Sequence, residues 1–270
     1  MNVIPLLVWM GCIINSHIQM PKCILKRFED ANHRFCYYDV EKNIIRTGGH
    51  AKSLNTQIGY YSLCTEAFLN SNVEKPLSDF LKEIDAIDFD QDVIIISSPK
   101  KDAICTFIYS LIARSPSILS KANEYEAFWS LLCEQDRHDF AAEQGIILAQ
   151  EKKLLNDYRL TFTYNKSVKP FVLPMIGMYS FIFHGLKHII IPISPRLAIT
   201  LIENDSNNHK ENQNILQLYY VEDTAVIDQY NILAFNTQCR EKAGYVVSHN
   251  KQILEELRKR TNENINGGQI

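Results

Sequence analysis

The chain has 270 residues, of which 46% are hydrophobic and 22% charged, a composition typical of a soluble globular protein. Glycine (10) and proline (9) are scarce, which excludes collagen-like and low-complexity disordered classes. The formal net charge of −3 provides no general attraction to an anionic membrane. Net charge also does not support nucleic acid as a partner, although it does not exclude one.

The charge is distributed unevenly along the chain. Residues 61–150 carry 7 basic and 15 acidic side chains, whereas residues 1–60 carry 7 basic and 4 acidic ones. This pattern indicates a fold whose parts have complementary charges, an acidic face for a protein partner or, most simply, a solvated helical face.

The seven cysteines are widely spaced and include no Cys-x-x-Cys pair, which argues against zinc ribbons and thioredoxin-type sites. We therefore predict no metal and no cofactor, and reduced thiols fit a cytoplasmic protein. The apolar stretch Ile4–Ile14 is too short for a membrane span, which needs about 20 residues. It predicts a buried terminal strand or helix; the alternatives are a membrane or export role and a translation start placed too early.

Extended structure is predicted near the N-terminus. The composition of His33–Val40 is typical of a strand, and Ile44–Gly48 pairs back on it as a hairpin. The segment Thr47–His50, Thr-Gly-Gly-His, lacks the Gly-x-x-x-x-Gly-Lys pattern of a phosphate loop, so we predict an ordinary loop after the hairpin.

The middle third is predicted to be helical and acidic. Apolar residues recur at helical spacing over 73–87, and Pro76 suits the first turn of that helix. A helix over 103–113 is expected to end before Pro116. Further helices are predicted over 125–133 and 139–158.

Strands return in the last third. Arg159–Asn165 alternates in polarity, and Leu197–Glu203 is the last clear strand. Two helices, over 224–242 and 251–260, flank a short strand at 245–248. The fold class is therefore α+β, in a single compact domain that spans residues 1–270. It has an N-terminal β-hairpin, an acidic helical middle at about 72–158 and a C-terminal antiparallel or mixed sheet closed by helices.

Several motifs, in order, resemble those of one protein family. In MPKCILKRF, Pro21, Leu25 and Phe28 fall on the Pro, Leu and Phe of an opening close to His-Tyr-Val-Pro-Gln-Phe-Tyr-Leu-Arg-Asn-Phe. FIYSLIARSPS, HIIIPISPRLAITL and VIDQYNILAFNTQCREKAGYVVS resemble the family's Arg-Thr-Pro helix, its Phe-Pro-Leu-Ser-Pro stretch and its closing block. From residue 17 to about residue 250 the chain thus resembles the mostly prokaryotic domain-of-unknown-function family 4238. The resemblance implies no particular reaction.

Two departures from that family bear on function. The family's His three residues before the Pro corresponds to Ile18, with His17 one residue earlier, and its Thr-Ser-Asp-Asn-Pro motif corresponds to residues 163–167. Asn165 therefore stands where the family has an acidic residue, and a neutral amide cannot accept a proton at physiological pH. This departure implies a catalytically silent or divergent member.

The candidate catalytic residues are His17, Arg114 and Asn165, which lie at family motif positions or beside them. If they converge in one pocket, a His acid/base and an Arg that holds a phosphate suit nuclease or phosphotransfer chemistry. In the structural alternative, Arg114 caps a helix C-terminus and His17 lies near an exposed end. The candidate binding residues are Pro21, Lys22, Arg27, Ser194, Arg196 and Asn231.

His184 and His188 are four residues apart, a spacing that would place both rings on one helix face and suit a metal ion. However, the sequence FIFHGLKHIII predicts a strand, a turn at Gly185 and a second strand. In that geometry the spacing predicts no metal site.

Two functions are open at this point. The favoured one is a non-catalytic or divergent interaction subunit of a bacterial defence or conflict system, which docks a protein partner through its acidic helical region. The alternative is a nuclease-like or nucleotide-acting toxin. The change to Asn165 favours the interaction subunit, and the sequence predicts no membrane span.

Overall fold

The structure is a computed structural model that describes residues 15–17, 20–54, 56–58, 60–87, 89, 93–114, 134–151, 157–204 and 215–266. Three predictions lie outside these residues, namely those for the apolar stretch 4–14, the helix over 125–133 and the helix stop at Pro116. No described helix is both long enough and apolar enough to cross a membrane.

Helices and strands alternate along the described chain. The strands are β1 (Asn15–His17), β2 (Phe35–Asp39), β3 (Ile44–Gly49), β4 (Thr56–Ile58), β5 (Val93–Ile95), β6 (Tyr158–Asn165), β7 (Leu173–Pro174), β8 (Tyr179–Phe183), β9 (Leu186–Pro192), β10 (Leu197–Glu203), β11 (Ile215–Val221) and β12 (Tyr245–Ser248). The helices are α1 (Lys22–Lys26), α2 (Leu63–Leu69), α3 (Lys75–Ile84), α4 (Ser98–Ala113), α5 (Glu134–Glu151), α6 (Thr224–Arg240) and α7 (Lys251–Asn266).

The predicted N-terminal hairpin is confirmed. Strands β2 and β3 pair antiparallel, and Asn43 in their turn has a φ of 53°, a left-handed conformation that Asn tolerates well. The prediction of a loop over Thr47–His50 is wrong, because β3 continues through Gly49. That residue lies opposite Phe35, beyond a shift of register in the pairing.

The helix around Pro76 begins earlier than predicted. Helix α2 continues through a π-helical turn, Asn70–Glu74, directly into α3. Pro76 has no amide hydrogen, and its ring would clash with the carbonyl of Asn72 in a regular α-helix. We attribute the wider turn before it to this clash, with the amide of Lys75 bonded back to the carbonyl of Asn70.

The helical middle differs from the prediction at two further places. Strand β5 lies within it and joins the main sheet, which the sequence did not predict. The helix predicted over 139–158 is described as α5, 134–151, and Tyr158 belongs instead to β6, where it pairs with Glu203.

The main sheet has six strands in the order β5–β11–β6–β10–β9–β8, and its neighbours are antiparallel except β11 and β6, which are parallel. A second, antiparallel sheet has the order β3–β2–β12–β7. The predicted α+β class with mixed and antiparallel sheets is confirmed. The prediction that Leu197–Glu203 is the last clear strand is wrong, because β11 follows it.

Helices cover both faces of the main sheet. Ile189, Ile191 and Ile199 belong to the same apolar cluster as Phe80 and Phe107 of α3 and α4. The intervening residues Ile190 and Ala198 point the other way. They belong to a second cluster with Phe235 of α6 and Leu254 of α7. Because successive side chains of a strand face opposite sides, residues 189–192 of β9 and residues 197–202 of β10 are buried at every position, and all of them except Thr200 are apolar.

Candidate functional site

Asn165 is fully buried at the end of β6, where its side-chain amide holds the loop that follows. Its Nδ2 donates to the carbonyl oxygen of Lys169 at 2.6 Å and to that of Pro195 at 3.4 Å. Its Oδ1 accepts from the backbone N–H of Ser167 at 2.9 Å. An amide has the two donors and the acceptor that this position uses, whereas a carboxylate has no donor.

Asn231 holds the same loop from the opposite side. It lies on α6 and is 1% exposed. Its Oδ1 accepts from the backbone N–H of Val172 at 2.9 Å, and its Nδ2 donates to the carbonyl oxygen of Pro170 at 2.8 Å. We call residues 165–172 the amide-held loop, because two buried asparagines pair its backbone groups.

Arg196 and Ser194 complete this arrangement. Arg196 donates from Nη1 to the carbonyl oxygens of Ser167 and Asn165, so its guanidinium bridges the start of the amide-held loop. The Ser194 hydroxyl accepts from the backbone N–H groups of residues 196 and 197 and so closes the turn between β9 and β10. The fold thus brings together four predicted residues, Asn165, Ser194, Arg196 and Asn231, and each one pairs with backbone groups.

An ion-pair cluster attaches the amide-held loop to the C-terminal helices. Nζ of Lys169 donates to Oδ1 and Oδ2 of Asp228 at 2.7 and 2.9 Å, and to Glu256 at 3.3 Å. Arg260 lies 3.6 Å from the same Asp228 carboxylate. The hydrogen bond to Asp228 raises the pKa of Lys169, which is therefore charged at neutral pH.

Arg114 caps the C-terminus of α4 and is 2% exposed. Its Nε and Nη2 donate to the backbone carbonyl and the hydroxyl of Ser110, at 3.0 and 3.1 Å. It also forms a hydrogen bond with Tyr61. Burial raises the pKa of Tyr61 to about 12 in spite of the nearby Arg114 charge. Arg114 therefore caps a helix C-terminus, as the structural alternative predicts. Its positive charge is stabilised there by the negative end of the helix dipole.

The remaining predicted residues lie near the N-terminus. His17 is in β1, with its backbone opposite Thr56, and its side chain is outside the described part. Pro21 is buried and Lys22 half-buried at the start of α1. Arg27 donates two hydrogen bonds to Asp85, at 2.6 and 2.5 Å, and so joins α1 to the end of α3. Within the described residues no hydrogen bond or ion pair connects this group with Arg114 or with the amide-held loop.

A separate cleft of about 420 Å³ lies beside β3 and includes the Thr-Gly-Gly-His segment. Its polar side chains are Tyr37, Thr47, His50, Ser53, Thr56, Gln57 and Tyr245. An added Cβ at Gly49 would lie 2.6 Å from the ring of Phe35 and 2.8 Å from that of Tyr37, so only glycine fits there. The signal that could have found this cleft is the pair of glycines inside a strand, which often marks close approach of other groups to the backbone.

The imidazole of His50 is held in one orientation at the wall of this cleft. Its Nδ1 lies 2.8 Å from the carbonyl oxygen of His33. A carbonyl oxygen accepts only, so Nδ1 carries the hydrogen, and Nε2 of the neutral ring carries the lone pair. In the described residues Nε2 has no hydrogen-bond partner. The sequence interpretation missed His50 because it treated this segment as an ordinary loop.

The strand–turn–strand prediction for His184 and His188 is confirmed. His184 and Gly185, with φ of 50° and 80°, form the two-residue turn between β8 and β9. The ring of His188 stacks on Phe181 at 5.2 Å, and burial, with the Arg159 charge, lowers its pKa. No cluster of three or more metal-ligating side chains occurs in the described part of the chain.

The outer strand β8 exposes apolar side chains. It ends the main sheet and, among described residues, pairs only with β9. Ile182 is 76% exposed and Phe183 is 55% exposed. A strand at the edge of a sheet leaves alternate backbone N–H and C=O groups unpaired, and exposed apolar side chains favour association with another chain.

Acidic residues of the helical region pair with basic residues of this chain. Asp79 pairs with Lys82, Glu83 pairs with Lys100, and Asp85 pairs with Arg27 from the basic N-terminal part. Of these pairs, only Arg27–Asp85 joins the acidic part to the basic N-terminal part, as a fold whose parts have complementary charges requires; the other two lie within the acidic part. They also reduce the negative charge that this region presents to a partner.

Comparisons with models of known protein families, with curated proteins and with solved structures found no match. The resemblance to family 4238 was not tested by them and stays a prediction. The assignment of function therefore depends on the geometry of the chain itself.

Proposed function

We propose that this chain is a non-catalytic interaction subunit that binds an extended segment of a protein partner along the open edge of β8. The observation that supports this proposal most directly is the exposure of Ile182 and Phe183 on an edge strand. In this mode of recognition the partner adds one strand to the sheet. Backbone hydrogen bonds provide affinity, and apolar side chains provide specificity.

The hairpin geometry indicates which groups of β8 would bind the partner. In a two-residue hairpin the residues that flank the turn, here Phe183 and Leu186, exchange both of their backbone hydrogen bonds. Alternate residues along β8 therefore point their backbone groups away from β9. These are Ser180 and Ile182, and both side chains are exposed.

The geometry of the candidate catalytic residues supports a non-catalytic role. The amide of Asn165 is engaged with backbone groups at both ends, and Asn231 and Arg196 are engaged in the same way. The guanidinium of Arg114 is buried against Ser110 and Tyr61. A group whose donors already pair with the protein is poorly placed to hold a phosphate, since binding would break those bonds.

The wider setting rests on the sequence. The resemblance to family 4238 supports our proposal of a role in bacterial defence or conflict, and the odd number and wide spacing of the seven cysteines support a cytoplasmic location with reduced thiols. The acidic helical region is a second candidate surface for a partner. On α5, Phe140 and Ile147 are 39% and 43% exposed at a spacing of seven residues, with exposed Glu143 between them.

The test is selection of peptides from a random display library on the immobilised protein, followed by affinity measurements on the selected peptides. Ile182→Lys should weaken their binding by about tenfold or more, because an edge lysine opposes strand pairing. The matched control is Val168→Lys, since Val168 is an 84% exposed apolar residue in the amide-held loop. Its effect should stay within about twofold.

Hydrogen exchange provides the second measurement for this proposal. Bound peptide should slow exchange of the backbone amides of Ser180 and Ile182, which point away from β9, more than that of Phe181. Strand addition would be contradicted if Ile182→Lys left peptide affinity unchanged. It would also be contradicted if bound peptide left exchange at the Ser180 and Ile182 amides unchanged. Affinity that depends instead on Phe140 and Ile147 would move the partner surface to α5.

The toxin alternative has its own experiment. Induced expression in a bacterial host should leave growth unchanged for the chain alone, and equally for His17→Ala and Arg114→Ala versions at matched levels. Growth arrest that both substitutions abolish, with both proteins folded, would overturn the non-catalytic proposal.

A further inference from the structure

The orientation of His50 is determined by the turn that precedes β2. His33, whose carbonyl oxygen accepts from Nδ1 of His50, has a φ of 56°. The carboxylate of Asp30 accepts from the backbone N–H groups of Asn32 and Arg34, at 2.8 and 3.0 Å, and so holds the turn closed. The ring of His50, which lines the cleft, is thereby kept in one orientation.

Hydroxyl groups in the cleft can also accept hydrogen bonds. Thr56 donates its hydroxyl hydrogen to the carbonyl oxygen of Ser53 at 3.1 Å, and Ser53 donates to that of His50 at 3.5 Å. A hydroxyl that donates to the protein retains acceptor capacity. With Nε2 of His50 and the side-chain oxygen of Gln57, these groups can accept hydrogen bonds from a ligand, and the phenols of Tyr37 and Tyr245 can donate them. The lining therefore suits hydroxyl groups, which both donate and accept hydrogen bonds.

Charge narrows the class of ligand further. No side chain that lines the cleft carries a permanent charge. Arg34 donates to the carbonyl oxygen of Gly48 at 3.0 Å, beside the cleft, which disfavours a cation there. An anion would meet no positively charged side chain in the lining of the cleft. The phenol of Tyr245 stays protonated at neutral pH, because burial and the Asp39 carboxylate raise its pKa.

We propose that this cleft binds a small uncharged polyhydroxylated molecule, a sugar or the ribose ring of a nucleoside, and that His50 accepts a hydrogen bond from one ligand hydroxyl at Nε2. The cleft volume of about 420 Å³ lies in the range of small-molecule sites. This proposal is independent of the partner surface at β8. One can fail while the other holds, because the two sites have separate variants.

The experiment is titration of the full chain, monitored by nitrogen chemical shifts of the histidine rings and by calorimetry. The probes are methyl glucoside, ribose and adenosine, with inorganic phosphate and tetramethylammonium as charged probes. At least one polyol should bind with a dissociation constant in the millimolar range or below, and shift Nε2 of His50 while its tautomer is unchanged. The glucoside and the two ribose compounds distinguish the two sources of the hydroxyl groups.

Substitutions locate the binding. His50→Phe should weaken the affinity for the polyol by about tenfold. The matched control, His249→Phe at an exposed histidine, should leave that affinity unchanged. Thr47→Val, which removes a cleft hydroxyl with little change of shape, is the second variant if His50→Phe fails to fold. Absence of binding by all three polyols overturns the proposal. The proposal is also overturned if phosphate or tetramethylammonium binds and His50→Phe weakens that binding. Polyol binding that neither His50→Phe nor Thr47→Val changes overturns it as well.

Discussion

The amide-held loop and the cleft beside β3 both collect polar side chains, but they use them in opposite ways. In the loop, Asn165 and Asn231 pair backbone donors and acceptors, and both side chains are buried. In the cleft, His50 uses one ring nitrogen to fix its orientation, and its ring lines an open space. Polar groups that satisfy the backbone stabilise the fold, whereas polar groups that face a cleft are free to bind something else.

The largest effect is expected for Asn231→Leu. The change leaves two buried backbone groups, Val172 N–H and Pro170 C=O, without their hydrogen-bond partner. It should lower the free energy of unfolding by about 3 kcal/mol in urea titrations. The control is Asn236→Leu on the same helix, where the half-buried amide accepts one hydrogen bond, from Thr261, among the described residues, and the loss should stay below about 1 kcal/mol. Equal losses for the two variants would show that Asn231 stabilises the fold no more than a half-buried amide does.

Asn165→Asp restores the acidic residue of the resembling family and should cost about 2 kcal/mol at neutral pH. The introduced carboxylate would face the carbonyl oxygens of Lys169 and Pro195 without a donor. Its protonated form donates one hydrogen bond, so the folded state should hold that proton more tightly than the unfolded state. The loss of stability should therefore shrink as pH falls. A loss that is the same at pH 4 and pH 8 would contradict this account.

Tyr61→Phe examines a second buried polar group, the Tyr61 phenol beside the Arg114 helix cap. The pKa of Tyr61 is raised to about 12, so the tyrosine contribution to stability is complete below its unfolded pKa, near 10, and is lost as pH rises toward 12. At pH 11 the wild type should lose roughly 1 kcal/mol relative to Tyr61→Phe, measured by denaturant unfolding. Parallel curves for the two proteins from pH 9 to pH 11 would show that this phenol is not held protonated by the fold.

The smallest effect is expected for Thr47→Val in the cleft. Thr47 is exposed on β3, and valine has similar shape and suits a strand, so the free energy of unfolding should change by no more than about 0.5 kcal/mol. A loss comparable to that of Asn231→Leu would mean that the cleft hydroxyls are structural, and the contrast between the two regions would disappear.

Local sequence signals predicted much of the fold. The alternation of Arg159–Asn165, the hairpin turn at Gly185 and the helix predicted over 224–242 depend on neighbours in the chain. The structure has each of them, with the helix over Thr224–Arg240. β11 was missed although Leu216 and Leu218 are buried and the residue between them, Gln217, is less buried, as expected from the alternation of a strand. Its place in the sheet depends on parallel pairing with β6, a contact with a distant segment that periodicity alone does not indicate.

The candidate site was predicted only in part, and for a related reason. Asn165, Ser194, Arg196 and Asn231 do come together, but sequence motifs did not show that their partners would be backbone groups. The cleft was missed because its parts come from β2, β3, the turn after it, β4 and β12. A cavity between such segments has no signature in any one of them.

By itself, the sequence determined the class of fold, the periodicity of most of its strands and helices and the turns of its two hairpins, since these follow from local backbone preferences and burial patterns. Only the tertiary structure decided that Arg114 caps its own helix and that Asn165 closes a loop. It also decided that His50 bonds through one ring nitrogen to His33 at the wall of a cleft. Which hydrogen-bonding groups are satisfied and which stay available is a property of contacts between distant segments, and those contacts exist only in the folded chain.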